Sequence, residues 1–438
     1  MARDVVRESA LAGRVVIWEE SARDGAQAKT LMSADFRVRL ALEQGRIFGA
    51  DGPRHVVFAA GFPAVCAEEF EAVRRVAVEA EGAVSVAAVC RGAAADVRQA
   101  VTAVRGSAHA RVMVVVPASE AMAQVMVHRT AREALEGGVT LVEDARELDD
   151  GVAVDVCLAD AGRADHALVA AAAQRMTAAG AGVVVLADTV GDQLPSDAAA
   201  MFSRVRAACT DDVVLASHLH NDLGLGLANT LEALRAGVRV VSSAWLGIAE
   251  RSGMVATEQL LLLLAHRPER AAQLLGGQTA EPWWTPPDLT RLPAVARMVG
   301  AETGVPLTVT TPVVGPGVGT ISTGTPFVHP RLFQPYDPEQ LLGIAPSVVL
   351  TQLASARVVT AVASRLGHDL DRQQAGTAMA WVKSRAFRTG RAVVDDEAFA
   401  AYLDGLAGPA AAAPAGSAIP APAPAVPVLP VTATGAAR

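Results

Sequence analysis

In the stretch Val213-Val214-Leu215-Ala216-Ser217-His218-Leu219-His220-Asn221-Asp222, an apolar run leads directly into two histidines. A short apolar run bounded by polar residues is typical of a buried β-strand. Residues two apart on a strand point to the same side, so His218 and His220 would face the same way at the strand end. Two neutral imidazoles side by side can bind one metal ion. The alternative is a pair of structural histidines.

Short runs rich in β-branched residues recur along the first 245 residues, with helix-like segments between them. The predicted strands are residues 15–18, 55–59, 83–90, 111–116, 138–142, 182–187, 213–218 and 238–243. Alternating strands and helices indicate right-handed βαβ units and a parallel sheet. Eight units favour an α/β fold of the TIM (β/α)8 barrel type. A doubly wound open sheet is the alternative, but no glycine-rich dinucleotide turn follows the first strand.

The first predicted strand leads into Arg23-Asp24-Gly25-Ala26-Gln27. In a TIM barrel the carboxyl ends of all strands meet on one face, where active sites are built. Asp24 would therefore lie near His218 and His220. One carboxylate and two imidazoles make a metal site that keeps positions open for substrate and water.

The pattern changes beyond residue 275. The sequence predicts a barrel over residues 12–280, a smaller helix-rich C-terminal unit over 285–406, and a tail over 407–438. The tail is rich in alanine and proline and carries little charge. Such a composition cannot form a packed core, so the tail is predicted to be disordered.

Composition excludes several classes of function. The net charge of −8 argues against binding to nucleic acid. The four cysteines are widely spaced and form no disulfide framework, which favours a reducing cytoplasm. The N-terminus lacks a signal-type apolar region, and no stretch is long and apolar enough for a membrane span.

Four motifs, in this order, resemble the isopropylmalate synthase/homocitrate synthase family, the metal-dependent barrels that include hydroxymethylglutaryl-CoA lyase. They are Arg23-Asp24-Gly25-x-Gln27, Asp188-Thr189-Val190-Gly191, His218-x-His220-Asn221-Asp222-x-Gly224 and Gly247-x-x-Glu250-Arg251-x-Gly253. Gly61-Phe62-Pro63, Arg91 and Glu143-Asp144-Ala145-Arg146 fit the same frame. In the C-terminal unit, Tyr336-Asp337-Pro338-Glu339 resembles the Re-type citrate synthase and phosphonomethylmalate synthase branch.

The resemblance implies an acyltransferase of the alkylmalate, homocitrate or citrate synthase type. Such an enzyme condenses an acyl-CoA, here acetyl-CoA, with a 2-oxo acid to give a 2-substituted malate and free CoA. It also implies a divalent metal (Mg²⁺, Mn²⁺ or Zn²⁺), a homodimer, and a role in specialised metabolism. The implied metal ligands are Asp24, His218 and His220. The implied catalytic residues are Arg23, Glu143, Thr189, His329 and Tyr336, and the implied substrate-binding residues are Arg23, Gln27, Arg91 and Thr189.

The sequence departs from the family at several positions. Met254 stands where the family has an asparagine near the metal, and a thioether is a poor ligand for Mg²⁺ or Mn²⁺. Ser322 and Phe333 stand at the usual histidine and tyrosine of the proton-transfer step, so the nearby His329 and Tyr336 are the predicted substitutes.

Other readings of these residues stay open. Glu143 and Arg146 could be a solvated pair on a helix, and Thr189 could cap one. The alternative functions are a lyase of the hydroxymethylglutaryl-CoA type and a repurposed barrel with altered or lost activity.

Overall fold

The computed structural model describes residues 3–277 and 281–407. The chain forms two compact units. The first contains the described residues up to 320 together with 331–347, and the second contains 321–330 and 348–407. Segments 285–320 and 331–347 thus fall with the barrel, whereas the sequence assigned them to the C-terminal unit. The predicted tail lies outside the described residues except for Ala407, the last residue of a helix.

Eight parallel strands form a closed barrel in chain order, with the eighth paired to the first. This confirms the TIM barrel and excludes the open sheet. The strands are β1 (Val16–Glu19), β2 (Val56–Gly61), β3 (Ser85–Arg91), β4 (Ala110–Pro117), β5 (Ala153–Ala159), β6 (Ala181–Asp188), β7 (Leu215–Leu219) and β8 (Val240–Ser243).

Helices follow the strands of the barrel. In chain order the helices of the molecule are α1 (Val5–Leu11), α2 (Asp24–Gln27), α3 (Ala34–Phe48), α4 (Gly52–His55), α5 (Ala67–Glu79), α6 (Ala94–Val104), α7 (Glu120–Val127), α8 (Ala131–Leu148), α9 (His166–Ala179), α10 (Pro195–Ala208), α11 (Gly226–Arg235), α12 (Thr257–Ala265), α13 (Pro268–Leu274), α14 (Leu292–Thr303), α15 (Gly324–Val328), α16 (Pro338–Leu342), α17 (Ala356–Arg365), α18 (Arg372–Thr389) and α19 (Asp396–Ala407). None in the described ranges is long and apolar enough to cross a membrane.

The described residues of the C-terminal half also form four two-residue strands: β9 (Thr320–Ile321), β10 (Ser347–Val348), β11 (Leu350–Thr351) and β12 (Val393–Val394). β9 pairs with β10, and β11 pairs antiparallel with β12. Helices α15, α17, α18 and α19 belong to the second unit, whose separate core includes Val358, Val362, Val382 and Phe399. The prediction of a helix-rich C-terminal unit is confirmed.

Along each barrel strand, successive residues alternate between two apolar clusters. Trp18 and Ala216 belong to a cluster built from alternate strand residues, which fills the barrel interior, whereas Ile17 and Leu215 pack with the surrounding helices. Both faces of each strand are buried, which explains why the strands are nearly continuous apolar runs. Val6 of α1 joins the interior cluster, so α1 closes the amino end of the barrel.

The strand predicted at residues 138–142 is wrong. This run lies inside the 18-residue helix α8, which begins with a capping box between Thr130 and Glu133. The fifth strand is instead β5, which the sequence analysis missed. Glu143 was predicted to follow strand 5, but it lies exposed on α8. The alternative that placed Glu143 on a solvated helix face agrees with this position.

Candidate metal centre

The carboxyl ends of β1 and β7 bring together the three predicted metal ligands. His218 belongs to β7, His220 follows it by one residue, and Asp24 begins α2 just after β1. All three are buried. His218 Nε2 lies 3.3 Å from His220 Nε2 and 3.4 Å from Asp24 Oδ2, and His220 Nε2 lies 4.0 Å from Asp24 Oδ2.

These distances fit one shared cation. Two ligand atoms that each lie about 2.1 Å from an ion, at angles of about 90–110°, are themselves about 3.0–3.5 Å apart. The Nε2–Nε2 and His218–Asp24 distances fall in that range, and the His220–Asp24 distance is slightly longer. One carboxylate oxygen and two imidazole nitrogens suit a divalent transition metal. The donor set therefore fits the metal that the sequence implies.

The three groups differ in protonation. Burial and the neighbouring His218 lower the pKa of His220 to about 4, which leaves it neutral. Burial opposes charge on His218, but Asp24 and Glu20 together raise its pKa to about 9. Burial likewise opposes the Asp24 carboxylate, yet Arg23 and His218 hold its pKa well below the usual range. Asp24 is thus the permanent negative charge of the centre.

A tight turn fixes Asp24. The Glu20 carbonyl accepts the backbone N–H groups of Arg23, Asp24 and Gly25 at 3.0, 2.8 and 3.2 Å. The backbone N–H of Glu250 donates to Asp24 Oδ1 at 2.8 Å. One carboxylate oxygen is therefore held by the backbone, while Oδ2 faces the histidines.

Arg23 lies against the same centre and is only 11% exposed. Its Nη1 donates to Asp24 Oδ2 at 3.0 Å and to Gln27 Oε1 at 3.3 Å. Its Nε and Nη2 donate to the two oxygens of Glu20, which is fully buried. Glu20 is not among the site residues predicted from the sequence. The signal was present, because Glu20 continues the period-two series of Trp18 toward the barrel interior.

The turn after β6 explains part of the Asp188-Thr189-Val190-Gly191 motif. Gly191 has φ of +74°, and a Cβ atom there would lie 3.0 Å from the Cβ of His220. A glycine is therefore required to let this turn pass the centre. Asp188 Oδ1 accepts the Gly191 N–H at 2.9 Å.

Thr189 directly follows β6, as the sequence predicted for the end of strand 6. Its hydroxyl accepts the backbone N–H of Asp160 at 2.9 Å. Asp160 follows β5 with φ of 62°, is buried, and pairs with Arg163 at 2.7 Å. Asp160 is also absent from the predicted site residues, because the predicted fifth strand was in the wrong place.

The remaining predicted residues lie in more open surroundings. Gln27 is exposed at the end of α2 and reaches the centre through Arg23. Arg91 ends β3 with its side chain 67% exposed and pairs with Asp96 at 2.6 Å. Tyr336 is partly buried in the barrel unit, where its ring meets that of His266 at 5.9 Å between centroids. His329 is exposed and belongs to the second unit.

Met254 is buried beside the centre. Its backbone forms an isolated bridge with His220, and its side chain packs with Ala244 and Ala249. The loop before it is anchored to the segment that follows β7, because the Asn221 N–H donates to the Gly253 carbonyl at 2.8 Å. The thioether thus takes part in an apolar contact at the position where the family has an amide.

Comparisons with known proteins agree with this architecture. The family described as HMGL-like matches residues 14–299. A 2-isopropylmalate synthase of Solidesulfovibrio magneticus is 30% identical over 403 residues, which cover 89% of this chain and 74% of the relative. A 2-isopropylmalate synthase of Caulobacter sp. is 29% identical over 405 residues, covering 90% and 72%.

Solved structures show the same barrel. An HMG-CoA lyase of Bacillus subtilis matches with a TM-score of 0.54 at 18% identity, over 67% of this chain and 95% of the lyase. An HMG-CoA lyase of Acinetobacter baumannii, in complex with coenzyme A and 3-methylmalate, matches with a TM-score of 0.52 at 21% identity, over 67% and 92%. At these identities the likeness concerns the fold alone.

Proposed function

Since the chain belongs to the HMGL-like family, we propose that it is a divalent-metal-dependent acyltransferase that condenses acetyl-CoA with a 2-oxo acid. The products would be a 2-substituted malate and free CoA. The observation that carries this proposal is the cluster of Asp24, His218 and His220, buried at the carboxyl face of the barrel. The similarity to 2-isopropylmalate synthases covers about nine-tenths of this chain, so it extends beyond the barrel.

A cation held by Asp24, His218 and His220 would polarise the ketone of the 2-oxo acid as a Lewis acid. The protein supplies the rest of the electrostatic environment. Arg23 remains charged at any working pH and lies 3.0 Å from the Asp24 carboxylate. It can stabilise the negative charge that develops on oxygen when the new carbon–carbon bond forms.

The condensation also requires a proton to leave the methyl group of the thioester. We propose His329 and Tyr336 for proton transfer, as the sequence suggests. Burial raises the pKa of Tyr336, so at neutral pH its phenol is a proton donor rather than a base. The base would then be His329. Gln27, Arg91 and Thr189 are proposed to bind substrate, and Glu143 has no position that supports its predicted role.

The assay is direct. Purified protein is incubated with acetyl-CoA, a panel of 2-oxo acids and Mg²⁺, Mn²⁺ or Zn²⁺, and free thiol is followed with a thiol-reactive dye. We expect thiol release that needs both a 2-oxo acid and the metal, and that stops when the metal is chelated. Absence of thiol release with every oxo acid and metal would refute the proposal.

The lyase alternative predicts a different outcome. Cleavage of hydroxymethylglutaryl-CoA to acetyl-CoA and acetoacetate, without condensation, would favour it. A homodimer and a role in specialised metabolism stay predictions of the family resemblance. Measurement of the mass in solution and identification of the preferred oxo acid would test them.

A further inference from the structure

We infer that Glu20 is a positioning residue that holds both Arg23 and His218 in place for the metal centre. This inference rests on the metal site of the proposed function. It concerns a carboxylate that is distinct from the three ligands and that belongs to the strand-end turn after β1.

Glu20 directly follows β1 and has no exposed surface. Its Oε2 accepts Arg23 Nε at 2.9 Å, and its Oε1 accepts Arg23 Nη2 at 3.0 Å. The same Oε1 lies 3.4 Å from His218 Nδ1. A single carboxylate therefore meets the guanidinium through a two-point contact and also faces the outer nitrogen of a metal-binding imidazole.

The contact with His218 selects the ligating nitrogen. His218 Nε2 points toward Asp24 and His220, whereas Nδ1 faces Glu20. Within the described part of the chain, the buried Nδ1 forms no hydrogen bond of regular geometry, and Glu20 Oε1 lies 3.4 Å from it. A bound metal would replace the proton on Nε2, and an acid on the opposite side would keep the remaining proton on Nδ1, so that Nε2 is the ligating nitrogen.

The contact with Arg23 fixes the guanidinium plane. Glu20 uses Nε and one N–H of Nη2, and the Nη1 group is shared by Asp24 and Gln27. A bidentate pair of this kind is rigid as well as strong. Arg23 therefore presents a fixed edge to the centre and keeps one N–H of Nη2 for a substrate oxygen.

The charge of Glu20 also favours cation binding. Arg23 is a buried positive charge next to the ligands, and it would repel a divalent ion if it were not compensated. Arg23, Glu20 and Asp24 together carry a net charge of −1. Loss of Glu20 would bring that sum to zero. The orientation that Glu20 imposes on Arg23 and His218 and the negative charge that it contributes thus both favour metal binding.

The test measures metal binding rather than turnover. Full-length protein is stripped of metal and titrated with Mn²⁺, and the free ion is counted by electron paramagnetic resonance. We expect Glu20→Gln and Glu20→Val to weaken Mn²⁺ binding by roughly 10- to 100-fold, the usual effect of losing a group behind a metal ligand. Affinities within twofold of the natural protein would overturn the inference.

A matched control separates the contact from its charge. Glu250→Gln removes one negative charge close to the centre, but the Glu250 carboxylate pairs with Arg251 and is 45% exposed. We expect its Mn²⁺ affinity to stay within twofold of the natural protein. Equal weakening in Glu250→Gln and Glu20→Gln would overturn the positioning role. Glu20→Gln nearly keeps the side-chain volume, so it decides the matter if Glu20→Val does not fold.

A spectroscopic readout follows His218 directly. In zinc-loaded protein labelled with ¹⁵N-histidine, the Nδ1–H of His218 should exchange slowly with water, and it is assigned by its loss in His218→Gln. We expect much faster exchange in Glu20→Val. Unchanged exchange would overturn the inference, because a role limited to stability would not move this signal.

The outcomes also separate this inference from the proposed function. Tight Mn²⁺ binding that weakens in Glu20→Gln, combined with no thiol release from any oxo acid, refutes the condensation and supports the role of Glu20. An active enzyme whose Glu20 variants bind metal normally refutes the role of Glu20 alone. Natural protein that binds neither Mn²⁺ nor Zn²⁺ refutes both.

Discussion

His220 gives the sharpest test of the centre at the scale of single residues. It is neutral and buried, and its Nε2 faces both His218 and Asp24. We expect His220→Ala to weaken Mn²⁺ binding at least about 100-fold and to remove thiol release, since the remaining pair cannot hold the ion. Isothermal titration calorimetry and the thiol assay measure the two effects.

The control for this variant is His128→Asn. His128 is exposed on a left-handed turn with φ of 53°, a conformation that asparagine tolerates. This variant should bind metal and release thiol like the natural protein. Full turnover in His220→Ala would show that the centre has been assigned to the wrong residues.

Glu258 should make stability depend on pH. It is buried in the first turn of α12, where Oε2 accepts the Leu246 N–H at 3.1 Å. Burial raises its pKa to about 7, from 4.5 in the unfolded chain. The folded state therefore binds the proton more tightly. The resulting stability is complete below pH 4.5 and is lost as the pH rises through 7.

Urea unfolding at pH 5.5 and 8.5 tests this. Between these values the Glu258 contribution should fall by roughly 2 kcal/mol. We expect Glu258→Gln to lose less stability than the natural protein over this interval. It would not abolish the dependence, because burial also raises the pKa of Glu19 to about 8. Equal losses in both proteins would contradict the prediction.

Some site residues could be predicted from the sequence and others could not. Asp24, His218 and His220 occupy strand ends with recognisable spacing. The local sequence pattern and the two-residue period of a strand were therefore enough to predict that they lie together. The parity of Trp18 indicates that the Glu20 side chain faces inward, but no local pattern identifies the groups that it contacts. Its role depends on Arg23 and His218, and the contact with His218 joins parts of the chain almost 200 residues apart.

At the scale of elements, the fifth strand shows where pattern fails. Val139, Leu141 and Val142 are β-branched or aliphatic and favour a strand in isolation. In the protein this run is helical, because the capping box at Thr130 and Glu133 begins a long helix that continues through it. The true strand β5 contains Asp155, a charge that interrupts its apolar run. This buried charge is stabilised by an oppositely charged partner on another strand.

That partner is Arg111, in β4. Arg111 Nε and Nη2 donate to the two oxygens of Asp155 at 2.9 and 2.6 Å, and Asp4, the N-cap of α1, joins the group. Because Arg111 and Asp155 are both fully buried, Arg111→Met should leave an uncompensated carboxylate. We expect it to lower the free energy of unfolding by roughly 3–5 kcal/mol, as measured by urea denaturation.

The double variant Arg111→Met/Asp155→Leu is the matched control. It removes both fully buried charges and leaves only Asp4, whose side chain is 22% exposed, so it should regain part of the lost stability. Neither protein should change its Mn²⁺ affinity, since this cluster lies at the amino end of the barrel strands. A double variant that is as unstable as the single one would contradict the argument.

At the scale of the whole molecule, the barrel could be predicted but the division of the chain could not. The eight predicted strands, with helices between them, indicated a closed parallel sheet. Seven of the eight predicted strand positions were right. The assignment of residues 285–320 and 331–347 depends on long-range packing. Leu292, Val295 and Leu342 join the barrel core, and no local pattern distinguishes such residues from the core of a separate unit.

The two separate cores lead to a prediction about which parts of the chain metal binding stabilises. A ligand stabilises only what must be folded to bind it, by about 2.7 kcal/mol at a concentration 100 times its dissociation constant. The ligands all belong to the barrel unit, whereas Val358, Val382 and Phe399 pack in the other core. We expect Mn²⁺ to slow hydrogen exchange in β1, β6 and β7 and to leave α17, α18 and α19 unchanged. Mass spectrometry of peptides with and without Mn²⁺ measures this, and His220→Ala should show no effect in either unit. Protection of α17–α19 by Mn²⁺ would contradict this prediction.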